Sequence, residues 1–316
     1  MKYILSIAIG ILLCHHTVGQ IKTHFIDSVQ SIITNIKEDL IKIKENYYAI
    51  MPKGIAGNIG VYIGKDYVVL VDDQWSVLSP RIREIVKTIT DKPIKYIINT
   101  HYHFDHTDGN KAFGKEGVTI IAHSNLRKRL LKDEVISGME NLWGKILQRA
   151  YTSEGLPSIT FSDSLELHDD QETIKVLHAP NAHTDGDAIV HFEKADIYHT
   201  GDIFITYGVP VIDEDAGGDF YGMIRIIDYL ISVSNSETRF IPGHGPICSV
   251  NDLLAYRNLL TSIKDQITDL MKKGLPLEKI INEVKIDESI GGFKKEFISH
   301  VYRMTLKREA KHRNKN

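Results

Sequence analysis

Six consecutive residues, His101-Tyr102-His103-Phe104-Asp105-His106, carry four side chains able to bind a metal. They directly follow an apolar run, Ile94 to Ile98, that reads as a short strand opened by Pro93 and closed by Asn99-Thr100. Imidazole and carboxylate donors suit zinc, and histidines at alternate positions can reach one ion from a tight loop. Asp105 and His106 then point elsewhere, toward a second ion. The strand before the tract and the Asp108-Gly109-Asn110 turn after it argue against a merely exposed histidine-rich stretch.

Three later fragments repeat the arrangement. His183-Thr184-Asp185-Gly186-Asp187 follows the apolar segment Ile174 to His178. Gly201-Asp202 follows Asp196 to His199. Pro242-Gly243-His244-Gly245 closes Thr238 to Ile241. Each chemical residue falls just past a predicted strand, where loops from a rigid sheet can converge on one site.

The rest of the chain alternates strands and helices. Ile26, Val29, Ile32, Ile33 and Ile36 have helical spacing, whereas residues 41–50 alternate as a strand. Ile59 to Ile63 and Tyr67 to Val71 read as strands around a Gly64-Lys65-Asp66 turn. Ser79-Pro80 opens a helix, with Ser79 as its cap and Ile82, Ile85, Val86 and Ile89 on its apolar face. Val118 to Ala122 is a strand, and Ser124 caps a basic helix to about Leu131. Residues 135–158 read as helix and loop around the site mouth. Short strands follow near 159–167, 172–178, 188–193 and 196–199. Phe220 to Val233 is helical. Ser249 and Asp252 make a capping-box start for a helix to Lys273, stopped by Gly274, and two more helices lie near 276–284 and 293–309. The order implies an α/β sandwich with helices outside two packed sheets.

The N-terminus has the three-part layout of a secretory signal peptide: Met1-Lys2, an apolar run from Tyr3 to Leu13, then polar residues to Val18-Gly19-Gln20. The apolar run is too short for a permanent membrane span. The expected division is a signal peptide at 1–19, a catalytic domain at 20–274 and a helical C-terminal extension at 275–316. The alternative is a lipid anchor on Cys14. After cleavage only Cys248 remains, which excludes an internal disulfide and suits a small apolar packing residue. The net charge of -3 lacks the basic excess of a protein that grips phosphate backbones. A small-molecule substrate is expected, with no nucleic acid and no stable membrane span.

The set of fragments resembles the metallo-β-lactamase superfamily, from about Asn58 to the helix after His244. Besides the histidine tract, the likeness extends to Gly57-Asn58-Ile59-Gly60, Val71-Asp72-Asp73, Gly201-Asp202 and Pro242-Gly243-His244-Gly245. The resemblance implies a four-layer αββα sandwich with two zinc ions in a cleft between its halves. It implies that His101, His103 and His183 bind the first zinc, that Asp105, His106 and His244 bind the second, and that Asp202 bridges them. Asp105 would also orient the attacking hydroxide. Asp72, with Asp73 beside it, would orient a ligand histidine from outside. Zinc can bring a water's pKa near about 7, so no side-chain nucleophile is required, and no Gly-x-Ser-x-Gly elbow is present.

Two departures bear on substrate. Many lactam-hydrolysing members of that family have cysteine where this chain has Asp202, and some carry a lysine shortly afterwards, where Ile203 to Tyr207 has none. The expected activity is opening of a carbonyl substrate, a cyclic amide or related ester, with β-lactam hydrolysis among the candidates. Thioester or lactone hydrolysis is the alternative, and a nuclease a remote one. An iron-based electron carrier lacks its flavin module here, and a closed structural zinc site has no need of seven ligands. The loop Tyr207 to Gly218 is expected to wall the cleft, with Trp75 and Tyr207 as substrate contacts.

Overall fold

Residues 33–139 and 146–313 are described in a computed structural model of the chain. The expected signal peptide, Cys14 and most of the helical spacing at 26–36 lie outside the described residues. Where the alternation predicts one strand over 41–50, two form: β1 (Glu38–Lys44) and β2 (Tyr47–Pro52), antiparallel and turned at Asn46, whose φ is 65°. β3 (Ile59–Ile63) and β4 (Val68–Val71) continue the sheet antiparallel. β5 (Ile94–Ile98) and β6 (Thr119–His123) run parallel to β4. β7 (Glu134–Ile136) and β8 (Ile146–Gln148) pair antiparallel in a separate two-stranded sheet. β9 (Ile159–Phe161) completes a seven-stranded sheet in the order β1-β2-β3-β4-β5-β6-β9.

The second sheet has five strands in the order β10-β11-β12-β13-β15. They are β10 (Ser164–His168), β11 (Thr173–His178), β12 (Ala188–Phe192), β13 (Ile197–Ile205) and β15 (Arg239–His244), with β15 parallel to β13. β14 (Gly208–Val209) pairs with β16 (Gly291–Gly292) far along the chain. The helices are α1 (Ser79–Lys87), α2 (Phe104–Thr107), α3 (Asn110–Lys115), α4 (Ser124–Leu130), α5 (Phe220–Val233), α6 (Val250–Lys272), α7 (Leu277–Glu283) and α8 (Lys294–Arg313).

Strand alternation sorts the apolar residues into three cores, and this makes four layers. In β4, Val69 and Val71 face inward, where they meet Ile98 of β5, Val176 of β11, Val190 of β12 and Ile241 of β15. Val68 and Leu70 face the other way, onto Ile82 and Val86 of α1 and Leu126 and Leu130 of α4. On the second sheet, Ile189, Tyr198 and Phe240 face outward onto α5 and α6. The C-terminal residues Ile280, Phe297, Ile298 and Val301 enter that same outer core. Cys248 is buried there as a free thiol, which burial pushes up to about 12. No helix among the described residues is long and apolar enough to cross a membrane.

Local departures from the sequence reading have identifiable causes. Of the span 135–158, residues 140–145 lie outside the described residues; on either side of them Ile136 and Ile146 pair across β7 and β8 and are fully buried, and a short 3-10 turn forms at Ser153–Gly155. Ser79 is already inside its helix, preceded by a 3-10 turn at Ser76–Leu78. His123, not Ser124, caps α4 by accepting from Asn125 N, while the Ser124 hydroxyl donates to Phe161 O on β9. The Ser249–Asp252 capping box forms as expected.

The two halves are tied near the strand ends by Asn58. Its buried side-chain amide donates to Pro242 O and Gly245 O, both at 2.8 Å. Asn58→Ala leaves two carbonyls unpaired. It is expected to destabilise the fold by on the order of 2 kcal/mol, read as a lower urea midpoint with unchanged slope.

Candidate metal centre

The strand ends determine where each donor sits. β5 delivers His101 and His103, and His103 lies in extended backbone at the start of α2. Asp105 and His106 fall within that single helical turn, so their side chains leave in a different direction from the two histidines before them. His183 is on the loop after β11. His244 is the last residue of β15. Asp202 lies within β13, beyond a register shift between His199 and Gly201, and not past the strand's end as the sequence suggests.

The donor atoms converge in three overlapping groups, each with its atoms within 4.8 Å of one another: His101, His103 and His183; His101, His106 and Asp202; Asp105, His106 and His244. Asp202 touches both sides. Its Oδ1 is 3.2 Å from His106 Nε2 and 3.5 Å from His244 Nε2, and its Oδ2 is 3.9 Å from His183 Nε2. Asp105 Oδ2 is 3.3 Å from His244 Nε2.

Four of the five rings are oriented from outside. His106 Nδ1 donates to Asp72 Oδ2 at 2.8 Å. The Thr100 hydroxyl donates to the same Asp72 oxygen and accepts from His101 Nδ1 at 3.0 Å. His183 Nδ1 donates to Val211 O at 2.8 Å, and His103 Nε2 to Asp213 Oδ2 at 3.0 Å. These contacts leave the remaining ring nitrogens with lone pairs facing inward. His103 Nδ1 and His183 Nε2 then oppose each other at 3.0 Å. His101 Nε2 and Asp202 Oδ1 are buried without an aligned hydrogen bond.

Such a set needs positive charge at its middle. Burial pushes His183 down to about 4 and His101 well below the usual histidine range, so both stay neutral. Burial acts the same way on His244, but the Asp202 and Asp105 carboxylates outweigh it and hold that residue up to about 9. The carboxylates thus attract a cation, and neutral imidazoles with inward lone pairs can ligate one. The donor set fits metal ions.

Asp72, and not its neighbour Asp73, is the outer partner. Asp73 is buried with neither carboxylate oxygen hydrogen-bonded. Tyr207 reaches the site, its ring 5.7 Å from that of His244. Trp75 does not line the cleft. It is buried against Phe104, ring centroids 4.8 Å apart, and supports the histidine tract from below. Within His183 to Asp187 only His183 faces the centre. Asp187 accepts from the backbone of His183 and Thr184, and Asp185 pairs with Arg129.

Asp213 is the residue that sequence reasoning missed. Its carboxylate also accepts from Tyr102 OH at 2.5 Å, Ser137 Oγ at 2.7 Å and Ala216 N at 3.1 Å. It lies in the loop expected only to wall the cleft, and no local spacing marks it. Gly57, named in the sequence only as part of the family likeness, also has a structural role. A Cβ there would lie 2.3 Å from His106 Cε1, so only glycine leaves the ring its place.

The family profile described as the metallo-beta-lactamase superfamily matches residues 52–260. Hydroxyacylglutathione hydrolase from Pelagibacter ubique is 26% identical over 210 residues, covering 63% of this chain and 75% of that protein. Among solved structures, the inverting sec-alkylsulfatase Pisa1 from Pseudomonas sp. superposes with TM-score 0.62 at 16% identity, over 85% of this chain and half of that one. The DIM-1 metallo-beta-lactamase superposes with TM-score 0.56 at 20% identity, over 72% of this chain and 99% of its own.

Asp213→Asn keeps an acceptor for His103 but removes its charge. Metal affinity at the His101, His103 and His183 position should fall by about tenfold or more, measured by competition with a chromophoric chelator.

Proposed function

Because the chain belongs to the metallo-β-lactamase superfamily, we propose that it is an exported zinc hydrolase that opens activated esters and thioesters. The observation that carries this reading is Asp202, a carboxylate within 3.9 Å of ligand nitrogens on both sides of the centre. His101, His103 and His183 would hold one zinc, Asp105, His106 and His244 the other, with Asp202 shared between them. Zinc, when bound, supplies Lewis acidity that brings the ionisation of water close to neutral pH.

The chain's own groups do the rest. Asp105, at the rim of the donor set, accepts a hydrogen from the attacking water and aims its lone pair at the carbonyl carbon. The Tyr207 phenol stays protonated, because burial and the Asp202 and Asp105 carboxylates hold its pKa well above the usual value. It can donate to the developing oxyanion or to the leaving group. One residue beyond His244 begins a cavity of about 380 Å³, lined by Ile41, Met51, Pro52, Pro246 and Ile247 among others. It suits an apolar substituent of the substrate.

Esters and thioesters stand ahead of β-lactams in this reading for three reasons. The bridging position is Asp202 and not cysteine. No lysine follows it to grip a drug carboxylate. One sequence relative, matched over 75% of its own length, is named as a hydroxyacylglutathione hydrolase. The net charge of -3 favours a small molecule over nucleic acid. The apolar N-terminal run after Met1-Lys2 supports export.

The decisive test compares an aryl ester, an acyl thioester and a chromogenic cephalosporin, with zinc and with chelator. Chelator-sensitive turnover of ester or thioester at kcat/KM of about 10⁴ M⁻¹s⁻¹ or above, well ahead of the cephalosporin, is expected. A faster cephalosporin would reverse the ranking. His103→Ala should abolish turnover on all three while far-UV circular dichroism is retained, and full activity in that variant would sink the metal assignment.

A further inference from the structure

Segment 207–216 touches three of the ligand histidines from outside. Tyr207 lies beside His244, Val211 O accepts from His183, and Asp213 accepts from His103. The C-terminal extension holds this segment at both ends. At one end β14 pairs with β16, so closely that a Cβ on Gly208 would lie 2.1 Å from the Gly291 carbonyl oxygen. At the other end Glu214 faces three basic side chains of α8. Arg303 approaches it through Nε at 2.9 Å and Nη2 at 2.7 Å, Lys307 Nζ lies at 2.7 Å, and His300 Nδ1 lies at 3.5 Å. His300 is itself fixed, because its Nε2 accepts from Phe220 N at the start of α5.

Apolar packing joins the segment to α8 at Val209 and Ile212, which share the outer core with Phe297 and Val301, but it does not reach Glu214. A cavity of about 400 Å³ lies between α8 and the segment, lined by Ile212, Glu214, Phe297, His300 and Arg303 among others. The ion pairs span its edge. The Arg303 and Lys307 side chains are 48% and 61% exposed, and exposed pairs ordinarily add little to global stability. Their effect is therefore local, on the backbone that carries Asp213.

We propose that Glu214, Arg303 and Lys307 are positioning residues of the metal centre: by fixing Glu214, α8 holds Asp213 against His103 and so sets metal affinity at the His101, His103 and His183 position. The inference rests on reading those side chains as metal ligands. None of the three positioning residues touches a ligand. They act through one peptide unit and one carboxylate.

The test is zinc affinity and stoichiometry of the full chain, by chelator competition, alongside the melting temperature. Glu214→Ala and the double variant Arg303→Ala/Lys307→Ala should each weaken one zinc site by about tenfold, with little change in melting temperature. Arg303→Lys/Lys307→Arg, which keeps both charges, should bind as the parent does. Arg257→Ala breaks another exposed pair, with Asp228 at 2.9 Å, and should leave zinc binding unchanged. If Glu214→Ala fails to fold, the double variant, which removes only exposed side chains, decides. Parent-like zinc affinity in the double variant, or an equal loss in Arg257→Ala, would overturn the proposal. His103→Ala separates the two readings. If it also binds zinc as the parent does, the metal-centre assignment has failed; if it loses a site while the clamp variants do not, only the positioning role has.

Discussion

Lone pairs from neutral imidazoles and carboxylates aimed at one buried region repel one another unless positive charge sits among them. That constraint organises the middle of this protein. His103 Nδ1 and His183 Nε2 face each other at 3.0 Å, and His101 Nε2 and Asp202 Oδ1 are buried without an aligned hydrogen bond. Nothing local in the sequence would bring such groups together, and desolvation alone would drive them apart. They are held because the cost is spread over the two rigid sheets. Asp202 and His244 sit within strands, the other donors sit on a helical turn or loop that follows a strand, and every outward nitrogen whose partner is described is fixed by an oxygen acceptor.

Those acceptors come from both halves of the sandwich. Asp72 and Thr100 belong to the first sheet's loops, whereas Val211 and Asp213 follow the second sheet's β13. Asp72 adopts φ 64°, an uncommon backbone state for a residue other than glycine. That state lets its carboxylate turn back to take Thr100 N at 2.7 Å as well as His106. The two halves therefore do not merely flank the cleft. Each supplies ligands and each orients ligands, which makes the closeness of the sheets part of the site's chemistry.

That these donors converge was legible because their spacing is local or adjacent to strand signals. The tract at 101–106 and the glycine-flanked Asp202 and His244 are readable without any contact map. The layered fold was legible in the order of strand and helix signals and in the family resemblance; that Val68 to Val71, apolar throughout, divides between two cores is seen only in the structure. What escaped reading depends on distance or on competition. Asp213 meets His103 across 110 residues, and three consecutive acids, Asp213 to Asp215, offer no local reason to prefer the first. Asp72 and Asp73 are equivalent in sequence and are separated only by backbone direction. Trp75 lies beside the site in sequence but turns into the core against Phe104. His123 displaced Ser124 as a cap because β9 offered the serine hydroxyl a carbonyl.

The division between strand-held and loop-held groups also bears on substrate choice. Asp202 is locked inside β13, where its neighbours pair with β15 and a Cβ on Gly243 would lie 1.9 Å from its Oδ1. Changes there would disturb strand pairing along with metal binding. Tyr207, two residues past the end of β13, and Pro246 and Ile247 on the apolar groove lie outside those strands. Loops of this kind vary while the scaffold stays. It follows that likeness in fold to a β-lactamase and to an alkylsulfatase constrains the metal-holding strands and says little about the bond cleaved. On the proposed function, selectivity would belong to the segments around Tyr207 and Pro246. Of these, the one containing Tyr207 also carries Val211 and Asp213, which accept from His183 and His103, so that reading would link substrate contacts to metal affinity along one stretch of chain.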